Sequence, residues 1–94
     1  MQVKWTRKAL DNLEDAVEYI TNEKPVAATN VASKILNAAK ALEAQPGMGR
    51  PGRVPGTREL IVGGLPYILP YVVKEGAVII LRVMHTSMKW PRRF

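Results

Sequence analysis

The sequence predicts an α+β domain in which a helical hairpin packs on a small twisted antiparallel sheet. Two amphipathic segments fill the first half of the chain, and runs rich in β-branched, aromatic and aliphatic residues fill the second half. The runs are Arg58–Val62, Pro66–Val73 and Ala77–His85, and Gly63-Gly64 and Lys74-Glu75-Gly76 connect them. Connections this short predict hairpins, so the second half is expected to form a three-stranded meander.

Length and composition limit the kinds of protein this can be. Residues 1–94 suffice for one domain, and the absence of cysteine excludes disulfides and thiolate metal sites. With a single histidine, we expect no metal and no cofactor. The chain has no 18-residue apolar run and no apolar signal segment near its start, so we expect a soluble cytoplasmic protein.

Two helices are predicted after a short first strand at Gln2–Trp5. Thr6 suits the N-cap of the first helix, and Pro25 suits the first position of the second, about four residues after the first pattern ends. The expected apolar stripes are Leu10, Leu13, Val17 and Ile20, and then Ala28, Val31, Ile35, Ala38 and Leu42. Pro46-Gly47 should end the second helix. The carboxylates of the first helix lie off its stripe, which is typical of a solvated face: Asp11, Glu14, Asp15 and Glu18.

The net charge of +6 comes entirely from the second half of the chain. Residues 1–49 carry six basic and six acidic side chains, whereas residues 50–94 carry eight basic and two acidic ones. A positive field of this kind attracts a polyanion, such as nucleic acid or an acidic protein segment. A generic basic surface is the alternative interpretation.

The segment Gln45–Thr57 has glycine or proline at seven of thirteen positions, so we expect neither helix nor strand there. Arg50 and Arg53 project from it, and arginine recognises phosphate with two parallel hydrogen bonds. The glycine spacing matches neither a P-loop nor a dinucleotide-binding pattern, so a plain connector is the alternative.

Pro70 conflicts with its position in the middle run, because proline inside a strand normally marks an edge or a bulge. We expect a bulge or a locally unpaired position there, with Tyr67 and Tyr71 on one face of the strand. The apolar stretch 78–81 should be central. The basic tail Thr86–Phe94 carries Trp90 and Phe94, which could stack on bases or pack on the core.

These segments together resemble the RelE/ParE superfamily of toxins from bacterial type II toxin–antitoxin modules. The resemblance rests on the two helices, the Pro-Gly-Met-Gly-Arg-Pro turn at 46–51, Arg58-Glu59-Leu60, Tyr67–Tyr71 and the stretch Arg82–Met88. It covers essentially the whole chain and implies a β-α-α-β-β-β fold. It also implies growth arrest, a role in plasmid stabilisation, and a cognate antitoxin whose C-terminal segment wraps the toxin as a helix plus an extended stretch.

The superfamily contains two activities. RelE-like members cleave mRNA in the ribosome, and for that activity the resemblance implies Arg58, Glu59, Arg82 and His85 as catalytic candidates. ParE-like members inhibit DNA gyrase and are not nucleases, so whether this chain is an enzyme stays open, with a gyrase inhibitor favoured. The middle strand here lacks the arginine usual in the nucleases, and the 46–51 turn and His85-Thr86-Ser87-Met88 look like ParE segments.

We therefore favour a gyrase inhibitor over an mRNA endonuclease. In that interpretation His85 is structural, with its ring bonded near the end of the last strand. The expected contacts with the target are Arg50, Arg53, Arg82, His85, Lys89 and Trp90. A third alternative is an inactive module that only binds antitoxin.

Overall fold

The computed structural model describes all residues from 1 to 94 and contains the predicted elements plus two short strands. The elements are β1 (Gln2–Trp5), α1 (Arg7–Glu23), α2 (Pro25–Ala41), β2 (Arg50–Pro51), β3 (Arg58–Ile61), β4 (Tyr67–Lys74), β5 (Ala77–Ile80) and β6 (Met84–His85). No helix is both long enough and apolar enough to cross a lipid bilayer.

The strands form one mixed sheet in the order β1-β5-β4-β3-β2, with β6 also paired to β4. The predicted α+β class is confirmed, but the sheet is not antiparallel throughout, because β1 runs parallel to β5. Parallel neighbours need a long crossover connection, and the helical hairpin with the strands after it provides one. As expected, β5 is central, since it lies between β1 and β4.

The prediction that segment 45–57 contains no strand is wrong at Arg50–Pro51. These two residues form β2 and pair with Glu59 and Arg58 of β3. A proline is tolerated there because β2 is the edge of the sheet, where a missing N–H leaves no neighbouring strand without a donor.

The irregularity expected at Pro70 exists, but the extra residue lies in the partner strand. Ile68 of β4 pairs with Met84, and Tyr71 of β4 pairs with Ile80. Between these two pairs β4 has two residues, 69 and 70, whereas the partner segment has three, 81–83. This bulge divides the predicted strand 77–85 into β5 and β6. Pro70 lies opposite the bulge, where its carbonyl accepts from the Leu81 N–H at 2.9 Å.

Helix α1 begins as predicted, because the Thr6 hydroxyl accepts from the Ala9 N–H at 3.0 Å. Its inward face is rotated from the predicted stripe and consists of Ala9, Leu13, Ala16 and Ile20. Leu10 is 38% exposed, so its assignment to the core was wrong. Alanines form part of this inward face, and an apolar count based on large residues does not detect them.

The second helix follows its predicted stripe more closely. Ala28, Val31, Ile35 and Leu42 are buried, and Ala39 is more deeply buried than Ala38. The boundaries differ from prediction: only Lys24 separates the two helices, and α2 ends at Ala41, well before Pro46.

The sheet has a helix face and a second face, here called the far face. Tyr67, Leu69 and Tyr71 alternate along β4 and belong to the core cluster under the helices, which confirms that the two tyrosines share a face. Ile68 and Pro70 point the other way and are also buried. Both faces of β4 are therefore covered over residues 67–71.

Tyr71 also anchors the segment 45–57. Its hydroxyl accepts from the Gly49 N–H at 2.9 Å and donates to the Pro46 carbonyl at 2.7 Å. A Cβ at Gly49 would lie 2.6 Å from a ring carbon of Tyr71 and 2.9 Å from the Glu59 carbonyl oxygen. Glycine is required at this position because any side chain would displace the anchor.

Replacing Gly49 by alanine should lower the free energy of unfolding by about 1–3 kcal/mol, because the added methyl overpacks a buried contact. Gly47→Ala is the matched control, since a Cβ at Gly47 meets nothing within 4 Å. Urea denaturation of both variants measures the difference. Equal stabilities would show that the Tyr71 contact does not constrain the segment.

Candidate functional site

The far face carries a buried carboxylate bound by two arginines. Glu59 of β3 is 2% exposed, and its Oε1 accepts from Arg50 Nε at 3.2 Å and Nη2 at 3.0 Å. Its Oε2 accepts from the Arg53 backbone N–H at 2.7 Å and from Arg53 Nε at 3.1 Å. Both carboxylate oxygens are therefore occupied by charge-assisted hydrogen bonds, which are stronger than neutral ones.

This environment keeps Glu59 ionised. Burial raises the pKa of its carboxyl, but the Arg53 N–H and the guanidinium groups of Arg53 and Arg50 outweigh burial and hold the pKa below 4.5. A carboxylate with a lowered pKa and no free oxygen is a weak proton acceptor, so this geometry does not favour Glu59 as a general base.

Arg58 is engaged with the backbone of the same segment. Its Nη1 donates to the Gly49 carbonyl at 2.8 Å and approaches the Gly47 carbonyl at 3.4 Å. The three arginines of residues 50–58 thus hold the glycine-rich segment against β3. Arg50 and Arg53 remain about half exposed, at 49% and 46% of their side-chain surface, and can still meet a partner.

The C-terminal tail reaches this cluster through Trp90. The guanidinium carbon of Arg53 lies 3.8 Å from the centre of the Trp90 ring, a cation–π contact. Phe94 packs edge-on against the same indole, with ring centres 6.3 Å apart. Trp90 therefore packs on the loop and Phe94 packs on Trp90. Neither belongs to the core cluster, so the tail does not pack on the core, which was one of the two expected alternatives.

Arg82 lies in the bulge, at the opposite side of β4 from Arg50 and Arg53. Its Nε donates to Asn12 Oδ1 at 2.7 Å, and the Val83 N–H donates to the same oxygen at 3.2 Å. Thr6 completes the support, because its hydroxyl donates to the Leu81 carbonyl at 3.0 Å. Two polar side chains of the α1 region therefore satisfy backbone groups that the bulge leaves unpaired.

His85 lies in β6 on the helix face. Its ring meets Tyr67 edge-on, with centres 5.3 Å apart, and its Nδ1 accepts from the Ser87 N–H at 3.1 Å. In the neutral ring the proton is therefore on Nε2. The histidine is bonded near the end of the last strand, where the sequence placed it.

The structure does not bring the four catalytic candidates together. Glu59 pairs with Pro70 and His85 pairs with Tyr67, on opposite sides of β4. Pro70 and Tyr67 are three positions apart, so their side chains point to opposite faces of the sheet. Directly paired residues share a face, so the sheet itself separates the Glu59 carboxylate from the His85 ring.

A groove opens beside His85, between α1 and the start of β4. Its volume is about 610 Å³, and most of its lining is apolar. Burial raises the pKa of Tyr67 at its floor, and Tyr19 nearby adds to the effect, so the phenol stays protonated. The lining includes Ala16, Tyr19, Ile20, Val31, Leu65 and Met88. No group of three or more histidine, aspartate or glutamate side chains is arranged to hold a metal ion.

Of the expected target contacts, Arg50, Arg53 and Lys89 are exposed in the structure, and Trp90 is partly buried against Arg53. From the sequence we did not expect that Arg53 and Trp90 touch. Sequence reasoning also did not identify Asn12 and Tyr71, which support the bulge and the segment 45–57. Neither residue lies in a recognisable motif. The one available signal for Tyr71 is that it lies in an apolar run, because the hydroxyl of a buried tyrosine needs a hydrogen-bond partner.

Comparison with known proteins identifies the family of the chain. A family described as "ParE toxin of type II toxin-antitoxin system, parDE" matches residues 3–90. "Putative toxin Y4kP" of Sinorhizobium fredii is 42% identical over 91 residues, covering 97% of this chain and 94% of the relative. "Toxin RelE2" of Caulobacter vibrioides is 37% identical over 86 residues, covering 92% and 96%.

A solved structure described as the chromosomal ParDE TA system from P. aeruginosa superposes with a TM-score of 0.84. The two sequences are 34% identical, and the match covers 90% of this chain and 95% of the other. The fold is thus that of a small toxin from a type II toxin–antitoxin pair, and the resemblance seen in the sequence is confirmed. The chain belongs to the ParE toxin family.

Replacing Glu59 by glutamine should lower the free energy of unfolding by about 1–3 kcal/mol at pH 7, because it removes the negative charge that the two arginines share and replaces one of the two acceptor oxygens by an NH2 group, which cannot accept their hydrogen bonds. The folded state lowers this pKa, so the carboxylate stabilises the fold above the unfolded value of 4.5. That contribution is lost as the pH falls through the folded pKa. The difference from wild type should therefore shrink on acidification.

Chemical denaturation at several pH values from neutral to acidic measures this dependence. Glu18→Gln is the matched control, because Glu18 is exposed and forms no ion pair. A Glu59→Gln deficit that stays constant with pH would contradict the stabilising role of the ionised carboxylate.

Proposed function

We propose that this type II toxin acts by inhibiting DNA gyrase and not by cleaving mRNA. In this proposal it acts in the cytoplasm, arrests growth until its antitoxin neutralises it, and contributes to plasmid stabilisation where a plasmid carries the pair. The family match supports a ParE-type activity. The relatives carry both ParE-type and RelE-type names, so the choice of target depends on the site.

The separation of Glu59 from His85 by the sheet carries the proposal. Cleavage of RNA at a 2′-hydroxyl requires an acid and a base beside one phosphate, within hydrogen-bond reach of the reacting oxygens. Here His85 lies on the helix face with Tyr67, and Glu59 lies on the far face with both oxygens bound by arginine. A single phosphate cannot reach both groups, so this pair is better suited to holding the fold than to catalysis.

The proposed target surface is the half-exposed basic region of loop and tail. Arg50 and Arg53 keep about half of their side-chain surface exposed while their Nε and Nη2 groups bind Glu59, and the exposed Lys89 flanks Trp90. Arg82 and His85 extend the proposed surface around the end of the sheet. Electrostatic attraction by the excess positive charge would speed the encounter with a negatively charged target.

The ParDE neighbour implies an antitoxin partner, and we propose that part of its C-terminal segment occupies the groove beside α1. The groove is apolar and open, and a segment that is disordered when free can bury its apolar side chains there on folding. Tyr19, which is 69% exposed, and Met88, which is 46% exposed, would become covered. An acidic antitoxin would also be attracted by the net charge of +6.

The proposed target is tested by adding purified toxin to gyrase, ATP and relaxed plasmid. We expect loss of supercoiling with accumulation of cleaved DNA, and reversal by the antitoxin. His85→Ala and Arg82→Ala should both fold. Neither substitution should change mRNA cleavage, because the proposed toxin does not act by cleaving mRNA. Unaffected gyrase, together with cleavage of translated mRNA that either substitution abolishes, would overturn the proposal.

The proposed antitoxin contact is tested with Tyr19→Glu. The substitution places a negative charge and removes apolar surface in the groove, so affinity for an acidic antitoxin should fall by about tenfold or more. Leu36→Glu is the matched control, because Leu36 is a 47% exposed apolar residue on α2 that does not line the groove. Equal affinities of the two variants in titration calorimetry would place the antitoxin elsewhere.

A further inference from the structure

The last six residues of the chain have few restraints of their own. The final backbone hydrogen bond is from the Met88 N–H to the His85 carbonyl, at 2.9 Å, and residues 89–94 make none. Their side chains make no hydrogen bond or ion pair either. The Trp90 indole N–H is buried without a partner, so contacts of the ring hold this residue in place.

Arg53 is the charged residue that contacts the Trp90 ring, and Glu59 sets the orientation of the Arg53 side chain. Its guanidinium donates Nε to Glu59 Oε2 at 3.1 Å and Nη2 to Oε1 at 3.3 Å, while its backbone N–H donates to Oε2 at 2.7 Å. Three hydrogen bonds to one buried carboxylate fix both the backbone and the plane of this side chain. The guanidinium carbon of Arg53 then lies 3.8 Å from the centre of the Trp90 ring.

Repulsion between positively charged side chains of the tail and the loop is the reason that Arg53 needs the support of Glu59. Lys89, Arg92 and Arg93 are exposed and form no ion pair, and they lie within three positions of Trp90, whose ring contacts Arg53. The tail cations repel the loop arginines, and the repulsion is weaker while Glu59 neutralises part of the positive charge of the arginine pair. Removing the carboxylate would both release the Arg53 plane and strengthen the repulsion.

We infer that Glu59 is a positioning residue for the C-terminal segment Lys89–Phe94. By fixing Arg53 against Trp90, it joins the loop arginines and the tail cations into one basic surface that fits a negatively charged face of the target. The existence of this connection is a property of the fold alone. Its importance for target binding rests on the proposed function.

The connection is tested by fluorescence of Trp90 in the full chain carrying Trp5→Phe, which leaves one tryptophan. Acrylamide quenching reports the accessibility of that ring. Arg53→Gln and Glu59→Gln should each raise the accessible population about two- to fivefold, as expected for loss of one cation–π contact at a half-exposed site. Arg50→Gln is the matched control, because Arg50 binds the same carboxylate and makes no contact with Trp90.

Each outcome is decisive. Quenching that rises with Arg53→Gln and not with Glu59→Gln would overturn the role of Glu59. Quenching that rises equally with Arg50→Gln would show general loosening of the loop and would overturn the route through Arg53. Circular dichroism checks folding, and if Glu59→Gln unfolds, the comparison of Arg53→Gln with Arg50→Gln decides the route.

A second readout separates geometry from charge. Glu59→Gln makes the protein more positive by one charge, so electrostatics alone predicts tighter binding to a negative surface. Positioning predicts the opposite, a loss of potency against gyrase that Glu18→Gln, which adds the same positive charge, does not show. Increased potency would overturn the positioning role. If wild-type protein leaves gyrase unaffected while the quenching pattern holds, the proposed target fails and the connection between loop and tail stands.

Discussion

The ionised, buried carboxylate of Glu59 is the interaction on which the far face of this toxin depends. An uncompensated charge at 2% exposure would be costly, and two guanidinium groups and one backbone N–H compensate it. In return, the carboxylate fixes a segment rich in glycine and proline, which has little secondary structure to hold it. The tail then packs on that segment through Arg53. One side chain thus organises loop and tail.

The two faces of the sheet are covered by different means. On the helix face, Ala9 of α1 and Ala39 of α2 belong to one buried cluster with Leu69, Tyr71 and Ile80, which are fully buried. On the far face no helix is present, and a loop and the tail cover part of β4. Apolar burial dominates the first face, and charge-assisted hydrogen bonds with a cation–π contact dominate the second. This division lets a short chain without disulfides expose a basic surface while keeping a dry core.

The sequence identified the arginines of the candidate site, but it did not show which contacts hold them or the bulge in place. Arg50 and Arg53 were identified because arginines in a glycine-rich segment are conspicuous in a sequence. Glu59 was considered only as a catalytic candidate, since a sequence gives no indication that the two oxygens of its carboxylate are occupied. Asn12 was not considered, because a polar residue on an amphipathic helix is ordinary. Its role arises from a bulge about seventy residues away, at Val83.

The sequence by itself determined the α+β class, the Thr6 cap and the excess positive charge of the second half, since all of these follow from local pattern and composition. The family came from the resemblance of the chain's segments to a known superfamily. Only the tertiary structure decided that β1 runs parallel to β5 and that Glu59 and His85 face opposite sides of the sheet. The physical reason is that strand pairing and side-chain facing depend on register. A shift of one residue reverses every side chain, and no single segment encodes its partner's alignment.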